Sequence, residues 1–257
     1  MPALSRTTRG RSRPGRLRLV DRYLLAAEAA LLGAPGDAPV VDLGLGAEPW
    51  TTVALFEALA ALPAPPPVLG VDVDPARVAG AQAAARPGLS FVVSGFDVPG
   101  PARLVRAMNV LRQYPPAQVA EARARMGAAL VEGGLLVEGT SNKEGHIVTA
   151  ALLRRRGAAL VAEGLLLATD FSAGFAPAMF ARWLPRDLRP AGRPSPAAQR
   201  LLDGWTAAFA GTTGALAGRF ADSAAAAGLR GVGDGMAVAG WPPQSPSPNA
   251  TSASSMS

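Results

Sequence analysis

An α/β fold with a mostly parallel sheet is what this sequence predicts, and three observations predict it. Short, largely apolar segments at 39–43, 68–72, 89–93 and 104–108 read as buried strands. Most of the stretches between them have helical composition and the 10 to 15 residues that a crossover between parallel strands needs. Gly44 and Gly46 follow the first segment, and Asp72 ends the second. Strand, glycine turn, helix, strand and acid, in that order, build a ligand cradle at the C-terminal edge of a parallel sheet.

Each element has a local reason. Residues 1–15 hold Arg6, Arg9, Arg11 and Arg13 and read as a disordered basic arm. Leu17, Val20, Leu24 and Leu25 recur at helical spacing, so 16–33 reads as an amphipathic helix closed by Gly33 and Pro35. Strand one is expected at 39–43. Pro49 suits the first turn of the next helix, where its missing donor would have no partner. Leu55, Phe56 and Leu59 supply that helix's buried stripe. The proline-rich 63–67 segment stops it and leads into strand two, 68–72. Asp74, ahead of Pro75, is a natural cap for a helix to about Arg86. Strands three and four follow at 89–93 and 104–108, then a helix from Pro115-Pro116 to about Leu130. Gly133-Gly134 turns into strand five, 135–138.

Beyond that the pattern weakens. A sixth strand is expected at 165–168, a helix at 174–184, and two alanine-rich helices at 195–228 parted near Gly211. His146 reads as a helix start and the arginine run 154–156 as a solvated helix end. Residues 241–257 are rich in Pro, Ser and Asn and read as a disordered tail. Between arm and tail, 16–240 is expected to form one domain with an N-terminal helix and a C-terminal helical extension.

Composition removes several chemistries. The chain has no cysteine, which excludes disulfides, thiolate nucleophiles and cysteine-bound zinc. Its one histidine, His146, argues against His-rich metal centres, and no metal is expected. Apolar residues make up 49%, enough for a sizeable core, but only 5% are aromatic, so Ala, Leu and Val must fill it. No apolar run approaches the roughly 20 residues of a membrane span. Asp21 and Glu28 interrupt the one stretch with any likeness to an export signal, Leu24-Leu25-Ala26-Ala27, so a cytoplasmic location is expected. Arginine almost wholly replaces lysine, a compositional bias that points to a high-GC bacterial origin. The net charge of +6 is concentrated at the N-terminus, where Arg16 and Arg18 complete the basic run. Such a run binds phosphate-rich partners by counterion release, so nucleic acid is one partner class. The plainer reading is a flexible arm with no specific partner.

Gly44 and Gly46 let the backbone turn sharply and approach a ligand that a Cβ would repel. The helix N-terminus behind them offers unpaired amide donors. A dinucleotide fingerprint would need glycine where Pro49 stands, and no phosphate loop is present. Asp72 is placed to accept hydrogen bonds from both hydroxyls of a ribose; Asp74 is the rival for that role, and its place as the cap before Pro75 favours Asp72. Asp42, ahead of the glycines, suits a cofactor carrying a sulfonium and an ammonium better than one carrying a pyrophosphate. A valine at Gly44 is expected to intrude on that ligand.

Together these parts resemble the class I S-adenosylmethionine-dependent methyltransferases, over roughly residues 36–140. Asp42-Leu43-Gly44-Leu45-Gly46 looks like the family's first motif and Gly70-Val71-Asp72 its second. Phe91-Val92-Val93-Ser94-Gly95-Phe96-Asp97 resembles the segment that frames adenine, and Asn109-Val110-Leu111 the segment after strand four. Leu130-Val131-Glu132-Gly133-Gly134-Leu135-Leu136-Val137-Glu138 resembles the lead into strand five. A closer likeness, to an actinobacterial subgroup of unassigned substrate, rests on residues 41–44, 106–114 and 134–140. The resemblance implies a Rossmann-like methyltransferase fold with a mostly parallel seven-stranded sheet and helices on both faces. It implies S-adenosylmethionine as cofactor, held by Asp42, Gly44, Leu45, Gly46, Asp72, Val73, Phe96 and Asn109. Glu48 stands where the family usually has a third glycine, and Phe96 where it often has an acid, so adenine is expected to stack on Phe96 and meet backbone donors, with Asp97 as the weaker alternative.

A methyl group on a sulfonium is already activated, so transfer is an in-line displacement helped mainly by alignment of the acceptor. A base is needed only for an acceptor that keeps its proton near neutral pH, and the sequence names none. His146, Tyr114, Asn109, Arg106 and Arg112 all have acceptor-side readings beside plainer ones: helix start, packing, cap, surface. Glu138 and Asp170 are expected to end later strands at the active edge. The favoured acceptor is a small molecule. Alternatives are an RNA methyltransferase gripping phosphates with the basic arm, a non-catalytic S-adenosylmethionine-binding protein, and a nicotinamide oxidoreductase, which Pro49 and Asp42 disfavour. Oligomeric state is not set by the sequence.

Overall fold

The computed structural model of the chain describes residues 12–241. Residues 1–11 and 242–257 lie outside it, and with them most of the arm and nearly all of the tail. One nine-stranded sheet runs through the described residues in the order β3-β2-β1-β4-β5-β6-β7-β9-β8. Its first half is parallel: β1 (Val40–Leu43) lies between β2 (Val68–Asp72) and β4 (Ala102–Met108), with β3 (Leu89–Val93) outside β2 and β5 (Leu130–Ser141) outside β4. The order reverses between β1 and β4, so a crevice opens beyond their C-terminal ends, where open α/β sheets bind ligands.

The second half corrects the expectation of a seven-stranded, mostly parallel sheet. β6 (Ile147–Arg156) folds back on β5, β7 (Ala159–Thr169) on β6, β9 (Met236–Ala239) on β7, and β8 (Arg230–Gly233) on β9, every pair antiparallel. The parallel half is Rossmann-like, and the rest is a meander. Alternation explains the strands: along β7, Leu166 and Ala168 enter one core while Leu165 and Leu167 enter another.

Helices cover both faces. On one lie α1 (Arg18–Ala27), α2 (Ala29–Leu32), α3 (Trp50–Leu59) and α4 (Pro75–Ala81), whose Leu24, Leu32, Leu55 and Val78 pack on Val40, Val68 and Phe91. The N-terminal helix is parted at Glu28, whose carboxylate binds Arg154 of β6 at 2.9 Å. The other face carries α5 (Val119–Ala128) over β4 and β5, then α6 (Pro196–Ala210) and α7 (Leu216–Ala226) over β6, β7 and β9. Trp205 of α6 stacks on Phe180 with ring centroids 5.6 Å apart. Asp74 caps α4 as expected, accepting from the Ala76 amide at 2.9 Å. The segment at 174–184 is a 3₁₀ stretch, Pro177–Trp183, and the arginine run 154–156 ends a strand.

Candidate functional site

The two spots on which the ligand reading depends meet at the switch-point edge. Gly44 bends away from β1 at φ +98° and its amide donates to the Val71 carbonyl at 2.7 Å; Gly46 follows at φ +77°. Both angles are ones that side-chain-bearing residues rarely adopt. The bend brings the Gly46 amide to 3.4 Å from Oδ2 of Asp72, the last residue of β2. Asp72 Oδ1 accepts from the Asp74 amide at 3.0 Å, which fixes the carboxylate's plane. Oδ2 holds Gly46 and Arg77 Nη1 at 3.4 Å each, longer than the usual 2.7–3.2 Å. That oxygen is loosely held and can exchange these contacts for stronger donors. Val73 is half-buried beside it, and Val93, the register partner of Asp72 on β3, leaves an apolar side chain 52% exposed.

Asp42 departs from its expected role. Its carboxylate lies in the core, accepting from Arg106 Nε at 2.8 Å, Arg106 Nη2 at 2.9 Å and the Thr52 hydroxyl at 2.6 Å. Arg106, read from sequence as a surface group, is fully buried. It also binds Asp21 of α1 and the Thr51 carbonyl in the first turn of α3. One guanidinium thus ties α1, β1, β4 and α3 together behind the glycine bend, and Asp42 has no spare charge for a cationic ligand. A lone arginine among apolar strand residues is the signal that finds this hub, since a buried cation must have buried acids near it.

Burial pushes the Asp21 carboxyl up from its ordinary 3.8 to about 6, against the pull of Arg106 and with a further push from Asp42. An acid whose folded pKa exceeds its unfolded one favours folding while protonated. Its contribution is therefore fullest below about pH 4 and declines as the pH rises through about 6. Between pH 5 and 7.5 the wild-type chain is expected to lose about 1 kcal/mol more stability than Asp21→Asn. Urea unfolding at the two pH values checks this, and parallel losses would show that Asp21 does not titrate there.

Other expected residues fall in several places. The Leu45 side chain is buried among α3 and β-sheet residues, leaving its backbone to face the bend. Phe96 is 2% exposed and lies edge-to-face with Tyr114 at 5.3 Å, so it is packed in the core and offers no open stacking face. A substitution at Gly44 falls first on the fold: an added Cβ would lie 2.7 Å from the Val110 side chain. Glu138 is interior to β5 and pairs with Arg123 at 2.6 Å, away from the strand end.

Asn109 closes β4 in the left-handed region, φ +63°, and staples it to the end of β5. Its Nδ2 donates to Ser141 Oγ at 2.9 Å, and its Oδ1 accepts from the Ser141 amide at 3.0 Å. Arg16 Nε reaches the same Ser141 Oγ at 3.1 Å. His146 lies in the β5–β6 turn, not at a helix start, with Nδ1 2.8 Å from Asp170 Oδ2; Arg18 also binds Asp170. These residues line the edge on the β4–β5–β6 side, across the switch point from Asp72. Sequence reading missed Ser141 and Arg77, which only the fold brings to the site. Among the described residues, no group of three or more His, Asp or Glu side chains is arranged to hold a metal, and no helix is long and apolar enough to cross a membrane.

No family model matches the chain, and no curated protein matches it. Solved structures do. The chain is similar to the magnesium protoporphyrin IX methyltransferase ChlM of Synechocystis PCC 6803 with bound S-adenosylhomocysteine: 20% identity, TM-score 0.37, over 47% of this chain and 52% of that one. It is similar to LepI in complex with S-adenosylmethionine: 23% identity, TM-score 0.37, over 43% of this chain and 29% of that one. It is also similar to the putative methyltransferase complexed with the Trm112 activator of Haloferax volcanii: 25% identity, TM-score 0.33, over 48% and 54%. The chain thus spans about half or less of these proteins' lengths. These TM-scores are all below 0.5, and the likenesses do not decide the chemistry.

Proposed function

We propose that the chain transfers a methyl group from S-adenosylmethionine to a small-molecule acceptor by in-line displacement, within one domain over 16–240. The observation that carries this reading is the meeting of the glycine bend and Asp72 at one corner of the switch-point edge, with Asp72 Oδ2 held, among the described residues, by 3.4 Å contacts. The donor set fits a ribose: a buried carboxylate with one oxygen anchored and the other available to hydroxyl donors. The bend at Gly46 admits close approach of a ligand's amino-acid end to backbone amides. Val93 and Val73 supply apolar walls beside the acid, the part that the family resemblance implies for Phe96.

When bound, the cofactor supplies an electrophilic methyl group. The chain's part is then to align an acceptor and exclude water. Asn109 and Ser141 border the acceptor side, as does His146, whose Nδ1 lies 2.8 Å from Asp170 Oδ2. The neutralised Asp42–Arg106 pair supports the bend from behind and makes no contact with the ligand.

The test is incubation of the chain with methyl-labelled S-adenosylmethionine and cell extract, separated into small-molecule, RNA and protein fractions. Label is expected in the small-molecule fraction, and none from Asp72→Ala. Label in RNA would favour the nucleic-acid alternative, and binding without transfer the non-catalytic one.

A further inference from the structure

The segments that follow β7 gather arginines at the acceptor side of the crevice. Trp183 ends the 3₁₀ stretch Pro177–Trp183, and its carbonyl accepts from the hydroxyl of Thr149, near the start of β6. Two guanidinium groups lie over its indole: Arg112, from the loop after β4, at 5.2 Å from the ring centroid, and Arg182 at 5.6 Å. Such stacking holds long cations in place. Arg186 is fixed by donating to the Tyr114 carbonyl at 3.1 Å, and Arg189 by donating to the Arg182 carbonyl. Arg112 and Arg182 are exposed, and Arg186 and Arg189 half-buried.

The carboxylates carried by these segments are engaged. Asp187 takes both Arg123 nitrogens, at 2.7 and 3.0 Å, and Asp170 takes Arg18 and His146. The arginines also act on one another. Burial, then Arg186 and Arg182, hold the Arg189 guanidinium below its ordinary range, and Arg16 is lowered by burial and by Arg112. Like charges gathered at a partly desolvated edge carry a repulsion that a bound anion relieves. Planar guanidinium forks match the two-oxygen faces of carboxylate and phosphate groups.

We infer that the Arg112, Arg182, Arg186 and Arg189 cluster around Trp183 receives an oxyanion, a carboxylate or a phosphate, on a small-molecule methyl acceptor. The inference rests on the methyl-transfer reading and names the substrate class of that site. The cluster follows β4 and faces the end of β5 and the start of β6, whereas Asp72 ends β2, so acceptor and cofactor would enter from opposite sides of the switch point. The anion fixes one end of the acceptor, and its nucleophilic atom extends toward Asn109 and Ser141.

The full chain, saturated with S-adenosylhomocysteine, is titrated calorimetrically with inorganic phosphate, with benzoate and with a 12-nucleotide RNA. Phosphate or benzoate is expected to bind saturably, and whichever binds tighter identifies the group. R182Q/R189Q is expected to weaken that binding at least fivefold with S-adenosylhomocysteine affinity unchanged, and R182K/R189K to recover part of it. Equal anion affinity in R182Q/R189Q, or no saturable anion binding to wild type, overturns the assignment. RNA that binds through these arginines and is not displaced by the simple anions overturns it too. A chain that fails to bind S-adenosylhomocysteine at all sinks the methyl-transfer reading itself, and the acceptor assignment with it.

Discussion

Replacing Arg106 by methionine is expected to lower the unfolding free energy at pH 7.5 by about 3–5 kcal/mol, the range for breaking a buried ion pair by removing one partner. The cause is electrostatic. Among the described residues, Arg106 is the cation that pairs with both Asp21 and Asp42, which are 6% and 2% exposed, and its removal strands two carboxylates in an apolar interior. For a chain of this size the drop corresponds to roughly 10 °C in Tm. Two controls separate charge from packing. The loss should shrink at pH 5, where Asp21, already shifted to about 6, takes up a proton. Adding D21N and D42N to R106M should restore much of the stability, because a neutral cluster of similar volume no longer buries net charge. If the triple variant is no more stable than R106M, the guanidinium's packing is what matters. R106M should also weaken cofactor binding, since Arg106 holds the Thr51 carbonyl and with it the start of α3 behind the glycine bend.

The parallel half of the sheet was legible because its signals are local. Val68–Asp72 and Leu89–Val93 have the expected bounds, and Asp74 caps α4 as its place before Pro75 implies. The antiparallel half was not legible, for a physical reason. β6 is buried on both faces through Ile147 to Leu153, so it shows no alternation, and three arginines at its end imitate a helix terminus. β8 and β9 are four residues each and turn at Gly235, φ +68°, too short to register as a pattern. β5 runs from Leu130 to Ser141 through Gly133, φ +74°, and Gly134, so what sequence reading took for a turn into the strand is an irregularity within it, where its register with β4 shifts.

The site divides along the same line. Glycine bends and a strand-terminal acid follow from the order of residues along the chain, so the Gly46–Asp72 corner could be read in advance. Asp42 could not be assigned by proximity to the glycines alone, because its partner Arg106 comes 64 residues later and only the β1–β4 pairing brings them together. Phe96 was drawn to the surface by the resemblance and into the core by Tyr114. The arginines around Trp183 are scattered over two separate stretches of sequence, and nothing short of the fold assembles them.

Asp72→Ala is expected to weaken S-adenosylhomocysteine binding at least 100-fold while leaving the far-ultraviolet spectrum of the fold intact. Two hydroxyl donors to one carboxylate are hydrogen bonds to a charged group, each about 1.5–3 kcal/mol, and 1.4 kcal/mol is a factor of ten in affinity. The structural cost is smaller, because Asp72 gives the fold one firm bond, to the Asp74 amide at 3.0 Å, and two loose ones. Removing the carboxylate also takes from Arg77 one of the acids it approaches, Asp74 at 3.6 Å being another. Arg77→Gln is the informative companion. If Asp72 serves the ligand, losing the competing cation should leave affinity unchanged or raise it. If Asp72 serves only to position Arg77, R77Q should damage binding as much as D72A does. Calorimetry on the two variants therefore separates a ligand-binding acid from a positioning one. Unchanged affinity in D72A would remove the ribose role and, with it, the main support for methyl transfer.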